Sequence, residues 1–145
     1  MFTHDFERLD NEWELRVGEN QMVTETNWEQ VYDAITQMNG DQNSMVLLNN
    51  TATEQSVFAG GGNSGLFIVM FFPDSSGQYG YALTDVGQTG PDVRLTVQTP
   101  TTYPSRWCVT LPLVLDVFQK FMINRRVPGT LRWEKDDYSG VVVQL

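Results

Sequence analysis

The sequence predicts an α+β fold: a mainly antiparallel sheet with two helices packed on one face. Three observations carry that expectation. Apolar residues recur at helical spacing in two segments, near residues 26–38 and 111–122. Short strand patterns occupy most of the chain between and around them. Turn residues separate those patterns at intervals of 8–14 residues, and strands joined by short turns pair antiparallel. The 145 residues are 41% hydrophobic and 19% charged, which fits one domain, 1–145, with a core large enough to need no staple.

Residues 1–10 read as irregular. Glu12–Val17 alternates, Trp13, Leu15 and Val17 on one side and Glu12, Glu14 and Arg16 on the other, as a half-buried strand does. Thr26-Asn27-Trp28-Glu29 reads as a capping box, with the threonine hydroxyl and the glutamate side chain each meeting a backbone donor. Trp28, Val31, Tyr32, Ile35 and Met38 then form one helical face, and Gly40 is the expected stop.

Met45–Leu48 and Gln55–Ala59 are short strands, and Gly60–Gly65 is a loop. Leu66–Phe72 is apolar throughout, the pattern of a central strand covered on both faces. Pro73–Gly77 is a turn into Tyr79–Thr84, which makes a hairpin with the preceding strand. After the Gly-containing loop Asp85–Pro91, Val93, Leu95 and Val97 alternate with Arg94, Thr96 and Gln98 as another strand. Trp107 and Val109 suggest a short strand before the second helix. That helix starts near Thr110, with Pro112 in its first turn where a missing donor does no harm. Its stripe is Leu111, Val114, Val117, Phe118, Phe121 and Met122, with Asp116 and Lys120 paired at i, i+4 outside it. Arg125 and Arg126 lie at the helix's C-terminal end and Pro128-Gly129 stops it, Leu131–Glu134 reads as a last core strand, and Val141–Val143 as an edge strand or a frayed tail.

Charge narrows the function classes. Eighteen acids stand against nine bases, a net charge of −9 and a pI near 4.3. Residues 1–40 hold nine acids and two bases, −7, whereas residues 41–145 hold nine acids and seven bases, −2. Such a surface repels phosphate backbones and attracts a basic partner, so no direct nucleic-acid binding is expected. Leu66–Phe72 is the longest apolar run and is far short of the ~20 residues of a membrane span. Met1–Glu7 has neither a basic flank nor an apolar h-region, so the expectation is a cytoplasmic protein without a secretory signal.

Catalytic constellations are scarce. The single histidine, His4, lies in the irregular N-terminus, away from any nucleophile that could use it. Cys108, the single cysteine, flanks a core strand and reads as a buried, inert thiol. Gly60–Gly65 lacks the Lys-Ser/Thr ending of a nucleotide loop and runs into a strand instead of a helix. Asp136 and Asp137 are neighbours, which a strand points to opposite faces. No catalytic residue, cofactor or metal is assigned. Tyr79, Tyr81, Tyr103, Trp107 and Tyr138 fall near loops or strand ends, where exposed aromatics suit a protein interface.

The stretch from Leu111 to Trp133 resembles a bacterial immunity-protein family, the first numbered of its set (Imm-one), associated with deaminase toxins of polymorphic toxin systems. The resemblance rests on Phe118 and Phe121 near the helix end, Pro128 in the turn, and Leu131 and Trp133 after it. Phe121 is followed by Met122 where the family commonly has a second aromatic. The order of elements over residues 24–134 resembles the family as well. The resemblance implies an immunity protein that binds and neutralises a cognate toxin domain, here a zinc-dependent nucleic-acid deaminase with a basic substrate groove. It implies no enzyme activity. The candidate partner-binding residues are Asp74, Tyr79, Asp85, Asp92 and Tyr103, chosen for loop position and for carrying charge or anchor area. The alternative is a non-enzymatic acidic binding or adaptor domain with a different partner.

Overall fold

The apolar run Leu66–Phe72 lies at the centre of the molecule, whose computed structural model describes residues 12–136. In chain order the elements are β1 (Trp13–Val17), β2 (Gln21–Thr24), α1 (Trp28–Thr36), β3 (Met45–Asn50), β4 (Gln55–Gly61), β5 (Leu66–Phe72), β6 (Gly80–Thr84), β7 (Val93–Val97), β8 (Thr99–Tyr103), β9 (Val109–Thr110), α2 (Leu111–Asn124) and β10 (Arg132–Asp136). The main sheet runs β10-β6-β5-β4-β3-β1-β2, antiparallel throughout, and β9 pairs with the start of β5. The predicted α+β class and the β5–β6 hairpin are both present.

Alternation along β5 explains why the run is apolar on both sides. Phe67 and Val69 face a core shared with Val31 and Ile35 of α1 and with Val114, Val117, Phe118 and Phe121 of α2. Ile68, Met70 and Phe72 face a second core with Phe58, Leu95, Tyr103, Trp107 and Cys108. The first face carries both helices, as expected. The second is covered by an antiparallel ribbon of β7 and β8. Sequence reading misses β8: Thr99-Pro100-Thr101-Thr102-Tyr103 has no apolar alternation, and its proline is tolerated only because the ribbon stands apart from the main sheet.

Several boundaries shift for local reasons. The cap of α1 is Asn27, whose side chain accepts from the Gln30 amide (2.9 Å) while Gln30 Oε1 accepts from the Asn27 amide (3.0 Å). The capping box is therefore one residue later than expected, and the Thr26 hydroxyl donates to Val23 O (3.0 Å). The helix stops at Thr36 instead of Gly40, because Asn39 Oδ1 accepts from the Asp41 and Asn43 amides and builds a turn there. Gly60 and Gly61 belong to β4, not to a loop. The turn that follows is packed: at Gly62 (φ +103) a Cβ would lie 2.8 Å from the Met38 carbonyl. Asn63 beside it accepts from the Thr96 amide (2.9 Å), tying the turn to the ribbon. Helix α2 begins after Thr110, whose side chain makes no capping hydrogen bond, carries Pro112 in its first turn, and shows the predicted Asp116–Lys120 pair (3.2 Å). Strand β10 forms the sheet's edge beside β6, with Trp133 half-buried and its Nε1 donating to Pro128 O (3.1 Å). His4, Asp137, Tyr138 and the Val141–Val143 segment lie outside the described residues, as does the stretch 1–10 expected to be irregular.

Candidate partner-binding surface

Cys108 sits under the ribbon, and burial, with the Asp92 charge adding to it, pushes its thiol up to about 11. It stays protonated near neutral pH, which makes it a packing residue and a poor nucleophile. Among the described residues, no three His, Cys, Asp or Glu side chains come together as a metal site. No described helix is long and apolar enough to cross a membrane.

Tyr103 is not an exposed anchor. It is 5% exposed, in the second core, and desolvation raises its phenol above the ordinary value. The reason is β8, which turns this side chain inward onto the sheet. Trp107 is buried in the same core, and its Nε1 donates to Glu134 Oε2 (3.2 Å).

The other four candidates divide between the two ends of β6. Asp74 and Tyr79 belong to the turn before Gly80, and Asp85 and Asp92 to the loop after Thr84. Five residues of strand separate the groups by about 13 Å. At the first end, Asp74 is fully exposed, and hydrogen bonds from the Ser76 hydroxyl and amide hold its carboxyl below the usual carboxylate range. Tyr79 is half-buried, edge-on to Tyr81, with Lys135 Nζ 4.6 Å from its ring centre. The register of the sheet places the β3–β4 turn, with Glu54, and the end of β2, with Glu25, at this same end. At the opposite end, Asp85 Oδ1 accepts from the Gly87 amide (3.0 Å). Nearby, Arg106 grips Glu134 through two nitrogens (2.8 and 2.7 Å). That pairing raises the guanidinium's pKa and lowers the carboxyl's. The pair borders a shallow depression of about 350 Å³ with Thr84, Val86, Arg132 and Trp133, and Val86 stands exposed on it.

A stronger charge signal lies in the sequence than the split at residue 40. From Val17 to Val93 no lysine or arginine occurs, while Glu19, Glu25, Glu29, Asp33, Asp41, Glu54, Asp74, Asp85 and Asp92 all do. These nine acids equal the whole net charge of −9, and the rest of the chain is balanced. Among the described residues, the cations Arg106, Lys120 and Arg125 are already paired, with Glu134, Asp116 and Glu12. The stretch from β2 through β6 therefore carries acids and no base of its own, while Arg16 on β1 and Arg132 and Lys135 on β10 lie on the strands beside it.

The class the fold defines is an α+β domain with one sheet face under two helices and the other under a ribbon. The particular family follows from comparison: a family described as "Immunity protein Imm1" matches residues 19–135, and the chain belongs to it. It is an immunity protein, its family implies a cognate toxin as partner, and the family points to binding instead of catalysis. A search of the curated proteins gave no match. The elements carrying the resemblance prove to be core: Phe118 and Phe121 are fully buried, and Trp133 closes the turn after α2.

Proposed function

We propose that this immunity protein neutralises a nucleic-acid deaminase toxin by covering its substrate entrance, acting through steric and electrostatic blockade. The observation that carries the reading is the base-free stretch 17–93, whose nine acids account for the entire net charge. A deaminase that takes its base from a polyanion needs a cationic groove. A net acidic surface complements that groove, steers encounter and competes with the phosphates. Asp74 and Tyr79 share their end of the sheet with Glu25 and Glu54 and form the favoured contact end. Asp85 and Asp92 add to the field from the other end. The chain works in the cytoplasm of the producing cell, where the toxin would otherwise reach nucleic acid.

Co-expression with the cognate toxin domain tests the reading. Growth should be rescued, the two chains should co-purify, and base deamination by the toxin should stop in the complex. A partner toxin that acts on a substrate other than nucleic acid, or a toxin still fully active when bound, would overturn it.

A further inference from the structure

Helix α1 turns to solvent an outer face that its own stability explains only in part: Glu29 in the first turn suits the helix dipole, and Asp33 does not. Tyr32 is 46% exposed, large for an aromatic, and rests edge-on against Trp28 with ring centres 6.2 Å apart. Glu29 and Asp33 flank it on the same face, four residues apart, and Glu25 precedes the helix with φ +57. All three acids are exposed, and none meets a cation among the described residues. Like charges at i, i+4 destabilise a helix. Asp33 also lies in the last turn, where the macrodipole disfavours an anion and where no basic residue offsets it. Local rules are broken in this way where a surface serves a partner.

We infer that the outer face of α1, with Tyr32 as the anchor and Glu25, Glu29 and Asp33 around it, docks into the cationic nucleic-acid-holding groove of the toxin. The inference rests on the proposed blockade and adds the surface that makes the close contact. Charge complementarity selects this occupant: the face lies within the stretch that lacks any base, and an apolar or acidic partner would leave three carboxylates unanswered. An exposed tyrosine ringed by charge has the form of an interface hot spot, with a rigid apolar body and a polar tip.

The test uses the full chain and the cognate toxin domain. Asp33→Lys relieves the repulsion and places a cation in the last turn, so the free variant should melt higher than wild type while its complex dissociates about tenfold faster or more. Tyr32→Ala should leave the melting temperature nearly unchanged and also raise the dissociation rate about tenfold or more. Wild-type affinity in both variants overturns the inference and leaves the blockade standing. A toxin domain that fails to bind the wild-type chain overturns both.

Discussion

Phe118→Ala separates core from contact surface most cleanly, because the residue belongs to the segment that carries the family resemblance. Phe118 is 0% exposed, on the face of α2 that meets α1 and the sheet. Losing the ring forfeits a transfer term of about 1.5–3 kcal/mol. It also opens a cavity of roughly 100 Å³, which at about 24 cal/mol per Å³ costs a further ~2 kcal/mol. Partial collapse of the site brings the expected loss to about 3–5 kcal/mol. That is a large share of the roughly 5–15 kcal/mol that holds a domain folded, and it corresponds to a fall in Tm of roughly 10 °C. Urea unfolding followed by tryptophan fluorescence should show a lower midpoint at an unchanged slope. Below the new Tm the variant should still bind toxin at close to wild-type affinity. A loss of less than about 1 kcal/mol, together with abolished protection, would refute the assignment of this residue to the core.

Two further outcomes follow from the packing. Gly60→Ala brings a Cβ to 2.8 Å from Val97 and should displace the β7–β8 ribbon, costing about 1–3 kcal/mol; near-ultraviolet circular dichroism of Tyr103 and Trp107 should change, and an unaltered spectrum would place the ribbon elsewhere. The Glu134 carboxyl is held below its unfolded value chiefly by Arg106, so its contribution is present above the ordinary carboxylate range and fades as pH falls through it. Both side chains are more than a third exposed, which keeps that contribution under about 1 kcal/mol. The gap in urea midpoint between wild type and Glu134→Gln should therefore narrow between pH 7 and pH 3, and an equal gap at both would remove this linkage.

The sheet and its helical face were legible because their residues report burial directly. Leu66–Phe72 could only be a strand covered twice, and Val114, Val117, Phe118 and Phe121 could only face a core. What covers the second face was not legible, because Thr99–Tyr103 is polar and holds a proline, and its pairing with β7 is a property of the ribbon alone. Misplacing Tyr103 follows from that: without β8, a tyrosine near loops looks exposed. Thr26/Glu29 and Asn27/Gln30 both satisfy the capping pattern, and the Thr26 hydroxyl's bond to Val23 O decides between them. The field was readable and under-read. The interval between Arg16 and Arg94 contains no cation, and a boundary drawn at residue 40 divided it. The separation of Asp74 from Asp85 was legible too, because the expected strand Tyr79–Thr84 lies between their two loops.

Charge on this surface is proposed to guide the chain to its toxin. The direct measurement is the association rate constant with the toxin domain across ionic strength, for wild type and for Asp74→Lys/Asp85→Lys. The wild-type rate should fall steeply as salt is raised, and the double reversal should be slower at low salt and converge with wild type once the Debye length drops to about 3 Å near 1 M. A rate that ignores salt and is indifferent to both reversals would contradict it.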